Sequence, residues 1–192
     1  QTGKPLTDND SEASGNHISP SGKKILYIKG LTEEGIDSTM EIVDFDKKDT
    51  IRLPASPDDF ILLLALFSAN DKYLLTATEQ TVKKWETATG KLLYTFFPVD
   101  SVDFLTMIPT GYYLCSQDAA RTLHYVNGMQ VIGFNQLDIR YNRPDKVMEH
   151  NNYPDRFMIS AYQEAWKKRV KKLNVDTSLF TKRLDVPVAD FL

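Results

Sequence analysis

Cysteine occurs once in the chain, at Cys115, so no intrachain disulfide can brace the fold. Histidine is scarce: only His17, His124 and His150 could serve as a general base or a soft metal ligand. Long apolar runs are missing. The longest, Phe60 to Phe67, falls far short of the ~18 residues that cross a bilayer as a helix, so no transmembrane segment is expected. Strong charge of either sign is missing too. A formal net charge of −3 argues against nucleic acid as a partner, because phosphate neutralisation needs a basic domain. Neither GxGxxG nor GxxxxGK[ST] is present, which removes the common phosphate loops. What is present is a hydrophobic fraction of 42%, with 11% aromatic residues, enough to fill the core of one domain.

Residues 1–17 hold little that could be buried and are rich in Thr, Asp, Ser, Asn and Gly, so they read as a flexible leader. The chain starts at Gln1 rather than Met. This is read as a processed or trimmed end, with export to the periplasm or outer surface expected and a cytoplasmic location left open.

From residue 18 short apolar runs alternate with polar turns. The clearest stretch is Leu64 to Phe97. Leu64–Phe67, Tyr73–Thr76, Thr81–Glu86 and Leu92–Phe97 read as four strands, separated by Ser68-Ala69-Asn70-Asp71 and Thr87-Ala88-Thr89-Gly90. Lys24–Lys29, Thr39–Phe45 and Thr50–Leu53 form an earlier set. Val102–Ile108, Tyr112–Gln117, Thr122–Val126 and Met129–Phe134 form a later one, with Asn127-Gly128 as a hairpin signal. IVDF at Ile42, KKWE at Lys83 and LHYV at Leu123 recur at spacings of about 40 residues. The expected fold is therefore mainly β. About three antiparallel β-meander, propeller-blade-like units (18–54, 58–97 and 102–134) fill residues 18–138, and C-terminal α-helices follow over 139–192.

The central segment, AxFSxNDKYLLTATxxTVKKWETATGKLLYTF, resembles a WD-type repeat, with Trp85-Glu86 where that motif ends in Trp-Asp. FNQLDIRYNRPDKVM from Phe134, followed by YQEAWKKRVKKL from Tyr162, resembles a segment of WD-repeat proteins from Bacteroidetes-like bacteria. In some of those proteins the segment sits between the propeller and a caspase-like peptidase domain. That domain's nucleophile motif is absent from this sequence. The resemblance implies a propeller-like scaffold that binds protein. It also implies that three repeats cannot close a ring, since propellers use ~4–8 blades.

Pro144 and Pro154 suit the first position of helices, with Asp145 and Asp155 in the first turn. After Asp155 two apolar stripes run at steps of four: Phe157, Ala161, Ala165, and Met158, Tyr162, Trp166, Val170, extended by Leu173. They predict an amphipathic helix of about 20 residues whose apolar side is buried. Residues 176–192 read as an extended tail.

No catalytic constellation emerges. Cys115 with His124 is a conceivable dyad, but a buried thiol and a blade-face histidine explain both residues. Asp44, Asp46 and Asp49 suggest calcium, yet Lys47 and Lys48 sit among them and no Gly follows, so a solvated turn is the better reading. Lys167–Lys172 could meet nucleic acid or anionic lipid and reads first as a solvated helix face. Asn142-Arg143-Pro144-Asp145 reads as a structural stop in which Arg143 pairs with a carboxylate. No cofactor or metal is expected. The expected function is a non-enzymatic protein-interaction or scaffold module acting through a protein partner or a homodimer. Trp85, Tyr94, Tyr112, Tyr125 and Trp166 are the candidate contact residues. The alternatives are an accessory domain of a caspase-like peptidase system and a glycan- or small-ligand-binding module.

Overall fold

The computed structural model describes residues 17–29, 39–55, 59, 62–122, 125–127, 130–132 and 134–181, with only the backbone described over 122–137. The leader, the connection at 30–38, His124 and the tail beyond 181 lie outside the described residues. The fold is mainly β with helices at the C-terminal end, as expected. The chain divides into two units, Gln1–Thr95 and Phe96–Leu192.

The first unit opens with β1 (His17–Ile18), β2 (Lys24–Lys29), β3 (Thr39–Asp44) and β4 (Asp49–Leu53), an antiparallel sheet in chain order. Alternation drives it. Leu26, Ile28, Met40, Ile42 and Leu53 point to one face and are buried. The register pairs Leu26 with Ile42 and Met40 with Leu53, so the apolar side chains fall opposite one another. β5 (Leu64–Phe67), β6 (Tyr73–Ala77), β7 (Val82–Glu86) and β8 (Leu92–Pro98) follow in a second antiparallel sheet. One core joins the two sheets. Leu26, Ile28, Met40, Ile42 and Leu53 pack with Ala65, Leu74 and Trp85.

Turn chemistry fixes these hairpins. Ser68 Oγ accepts from Tyr73 N at 3.0 Å and Asn70 Oδ1 accepts from Lys72 N at 3.2 Å. Asp71 then takes the left-handed conformation at φ 55°. The β7–β8 turn closes on Gly90, φ 70°. Its N–H donates to Glu86 O, and its α-carbon lies so close to β4 that an added Cβ would sit 2.8 Å from Ile51 Cγ2.

In the second unit the sheet order continues from β8 to β9 (Phe104–Met107) and β10 (Tyr113–Cys115), where a separate third meander was expected. The reason is local. Asp100 Oδ1 accepts from Val102 N and Asp103 N, both at 2.8 Å, and Val99 N donates to Asp103 O. That tight turn folds β9 straight back beside β8. Of the strand expected at Thr122–Val126, Tyr125 and Val126 lie in a strand, Thr122 ends a helical turn, and residues 123 and 124 lie outside the described residues. Ala119–Thr122 is a helical turn, α1, favoured by two alanines and an Asp118–Arg121 ion pair. β11 (Tyr125–Asn127) then pairs with β12 (Gln130–Ile132) as a separate hairpin. Asn127 pairs with Gln130.

α2 (Phe134–Tyr141) starts where the last strand was expected to end. α3 (Pro144–His150) begins on Pro144 as expected. α4 (Arg156–Lys172) begins two residues after Pro154, because Asp155 is the N-cap and accepts from Met158 N at 3.0 Å. A short 3-10 helix, Thr177–Thr181, stands in the stretch read as extended tail. The core of this unit gathers Leu105, Ile108, Tyr113, Ala119, Ile139, Val147 and Ile159.

The expected burial along α4 is corrected. Ile159 is the buried apolar residue, with Trp166 and Val170 half-buried, while Phe157, Met158, Ala161, Tyr162, Ala165 and Leu173 are exposed. Polar anchors set the rotation of the helix. Trp166 Nε1 donates to Ile139 O at 2.7 Å, Gln163 Nε2 to Glu149 at 2.8 Å, and Arg169 pairs with Asp138. All three lie on the Ile159 side at helical spacing.

Candidate interaction face

Register and burial give β5–β7 two very different faces. On one, Ala65 stands opposite Thr76 and Thr76 opposite Lys83, while Phe67 stands opposite Leu74 and Leu74 opposite Trp85. This face is closed by the first sheet. Trp85 is fully buried there and its Nε1–H donates to Thr76 Oγ1 at 2.9 Å. Lys83 Nζ lies 2.6 Å from the buried Asp59 carboxylate. Trp85, expected among the partner-contacting aromatics, therefore has no surface to offer.

The other face carries the row Leu64, Ala77, Val82, then Leu66, Leu75, Lys84, then Tyr73 and Glu86. It is apolar and open: Leu64, Leu66 and Leu75 keep 48%, 52% and 38% of their surface in solvent. Leu63, just before β5, is exposed as well. A one-sided antiparallel sheet would place polar residues here. Lys84 bounds the patch. Its ammonium sits 4.1 Å from the Tyr73 ring centroid and 5.8 Å from that of Tyr94. Tyr94 is half-buried, and burial pushes its phenol up from the ordinary value. Of the aromatics expected at a contact surface, Tyr94 is the one beside this face.

Sequence reasoning missed the leucines. The signal was the unbroken Phe60–Phe67 run, because a strand apolar at consecutive positions needs cover on both sides.

The turn end of the same unit opens a polar groove of about 460 Å3 lined by Ser21, Lys23, Lys24, Asp44, Asp46 and Asp71 among others. Each of its carboxylates has a partner, although Asp71 uses only Oδ2 and its buried Oδ1 has none among the described residues. Asp44 pairs with Lys24 and accepts from Lys47 N, Asp46 lies 2.6 Å from Lys23, and Asp71 accepts from Ser19 and Ser21. The Lys24 hydrogen bond holds the Asp44 carboxyl below its ordinary range, and the Ser21 hydrogen bond does the same for Asp71. Asp49 is spent on Thr50 N at 2.8 Å. Among the described residues no group of three His, Cys, Asp or Glu is placed to hold a metal.

In the second unit the Asn142–Asp145 corner is a buried ionic joint. Arg143 Nε and Nη2 donate to Asp145 at 2.9 and 2.7 Å, and the Asp145 side chain is fully buried. The guanidinium lies 3.9 Å from the Trp166 ring centroid and 6.0 Å from that of Tyr112. Trp166 and Tyr112, both half-buried, thus share one cation and serve the joint from the inside. Arg143 N also donates to Tyr113 O, tying β10 to the α2–α3 connection. Asp138 accepts from the Tyr113 hydroxyl at 3.0 Å and Asn142 Nδ2 at 2.9 Å, and pairs with Arg169. Burial first, then the Asp138 charge, pushes the half-buried Cys115 thiol up to about 11. The Tyr125 and His124 side chains lie outside the described residues.

No family model matches the chain, and no curated protein matches it. Among solved structures, one similar chain belongs to a complex of the fission yeast SREBP–SCAP binding domains, at 9% identity and TM-score 0.37, covering 60% of this chain and 35% of that one. Another is a putative dipeptidyl aminopeptidase IV from Bacteroides ovatus, at 16% identity and TM-score 0.31, covering 53% of this chain and 22% of that one. The chain thus spans about a third and a fifth of their lengths, and similarity at this level carries no argument about function.

Proposed function

We propose that this chain is a non-enzymatic protein-interaction module of WD-repeat-like, incomplete-propeller character. Its working surface on this reading is the open face of β5–β7, and its first form of interaction is self-association. The observation that supports it is the exposure of Leu64, Leu66 and Leu75 on a sheet whose opposite face is already closed. Contiguous apolar surface of this kind marks interaction sites on folded proteins. A cationic rim at Lys84 and an anionic one at Glu86, two residues apart on β7, let a second copy in reversed orientation set unlike charges opposite each other. A non-catalytic reading also suits Cys115. A nucleophilic thiol needs a lowered pKa, and this one is raised.

The test is the mass in solution by sedimentation equilibrium over a concentration series, for the wild type and for Leu66→Asp with Leu75→Asp. The expected result is a reversible wild-type dimer and a monomeric variant with unchanged far-UV circular dichroism. A wild type that stays monomeric throughout overturns the reading, and so does a folded variant that still dimerises.

A further inference from the structure

We propose that the outward face of α4 docks on an anionic lipid surface. The helix uses Ile159, Gln163, Trp166 and Val170, at helical spacing, to attach to its own unit. The rest of its circumference faces away and has two halves. The N-terminal half exposes Phe157, Met158, Ala161, Tyr162 and Ala165, Phe157 at 84%, among the polar Arg156, Ser160 and Glu164. The C-terminal half is basic. Lys167 is engaged by Glu164 at 2.8 Å and Arg169 by Asp138, but Lys168, Lys171 and Lys172 have no ion-pair partner among the described residues.

Helical spacing puts Phe157, Ala161, Glu164, Lys168 and Lys172 on one side, since steps of four, seven and eleven residues return close to the same direction, and the Glu164 carboxylate there is engaged by Lys167. Capping explains part of this arrangement: cations at a helix C-terminus complement its dipole. It does not explain an almost fully exposed phenylalanine on the same side, followed by two alanines that let a flat surface approach. Apolar anchors beside four lysines that outnumber the one carboxylate among them, Glu164, match the chemistry of an anionic bilayer interface, where lysines meet headgroup phosphates and aromatic side chains enter the acyl boundary. A nucleic-acid reading has less support. The arginine of the basic run is committed to Asp138, and phosphate contacts give no role to Phe157 or Met158.

Flotation of the full chain with vesicles tests this. Phosphatidylcholine vesicles containing about a third phosphatidylglycerol should carry the protein at low salt, and pure phosphatidylcholine should not. Replacing Lys168, Lys171 and Lys172 together by Gln should weaken partitioning on the order of a hundredfold. Phe157→Ser should weaken it about tenfold or more. All four side chains are exposed, so circular dichroism should be unchanged. The proposal is overturned if the wild type ignores the anionic vesicles or binds neutral ones equally. It is also overturned if either variant partitions like the wild type, or if duplex DNA binds the chain while the anionic vesicles do not.

Discussion

Replacing Arg143 by Met tests how the second unit is held together. The Asp145 carboxylate is wholly inside the protein, and Arg143 supplies both of its close donors at 2.9 and 2.7 Å. Methionine fills much of the same space but leaves that carboxylate without a counter-ion. Removing one partner of a buried ion pair costs about 3–5 kcal/mol, mostly because the other charge is stranded. Loss of the stacking on Trp166, whose ring centroid is 3.9 Å from the guanidinium, adds roughly 0.5–1 kcal/mol. Against a domain stability of about 5–15 kcal/mol this is a large fraction. Arg143→Lys keeps the charge but not the fork, so an intermediate loss is expected. Arg143→Met with Asp145→Leu removes the stranded charge and should recover about 2 kcal/mol or more of the single-variant loss. Urea unfolding is the assay. The chain has two tryptophans, Trp85 in the first unit and Trp166 in the second, so all variants are compared in a Trp85→Phe background, where emission reports on Trp166. A loss below about 1 kcal/mol for Arg143→Met, or additive losses in the double variant, would refute the reasoning.

Three further perturbations probe other parts of the molecule. Gly90→Ala forces a side chain into φ 70° with its Cβ 2.8 Å from Ile51 Cγ2 and 2.9 Å from Arg52 O, so a loss of about 2 kcal/mol or more is expected in thermal unfolding, and a neutral substitution would contradict the close approach to β4. Because the Asp44 carboxyl is lowered by Lys24 in the folded state, its contribution is present above the unfolded pKa and is lost as pH falls through the folded one, below about pH 4. Asp44→Asn should therefore flatten the acid limb of stability and lower stability at neutral pH. Asp71 and Asp100, also lowered, keep part of the limb, and a limb identical to wild type would count against the Lys24–Asp44 pairing. With its thiol raised from 9.0 to about 11, Cys115 should carry about a hundredfold less thiolate at pH 8 and react correspondingly slowly with a thiol reagent until the protein is unfolded; fast native labelling would contradict its burial.

Local chemistry made much of the first unit legible. Ser68, Asn70 and Gly90 punctuate the strands where their side chains or free backbone serve the turns, and alternation along Lys24–Lys29 and Thr39–Asp44 sorts the core face. The third repeat was not legible, because the hydrophobic pattern of Val102–Phe134 fits a new meander as well as an extension of the old one. The Asp100 turn and the two alanines of α1 decide otherwise. In α4 the two apolar stripes differ by one residue, and periodicity could not choose which side turns inward. That choice rests on long-range partners such as Asp138 for Arg169 and Ile139 O for Trp166. The Arg143–Asp145 pair was half visible, since the sequence pointed to a carboxylate partner for Arg143 without saying which. The leucine face went unread because attention to aromatic anchors favoured Trp85, which packing takes wholly inside.

The most direct test of the interaction reading is the mass of the wild-type chain by sedimentation equilibrium, set beside Leu66→Asp with Leu75→Asp at matched concentrations. The account predicts a concentration-dependent dimer that the two substitutions abolish while the fold is kept. A monomer at every concentration, or a folded variant with the same association constant as the wild type, would contradict it.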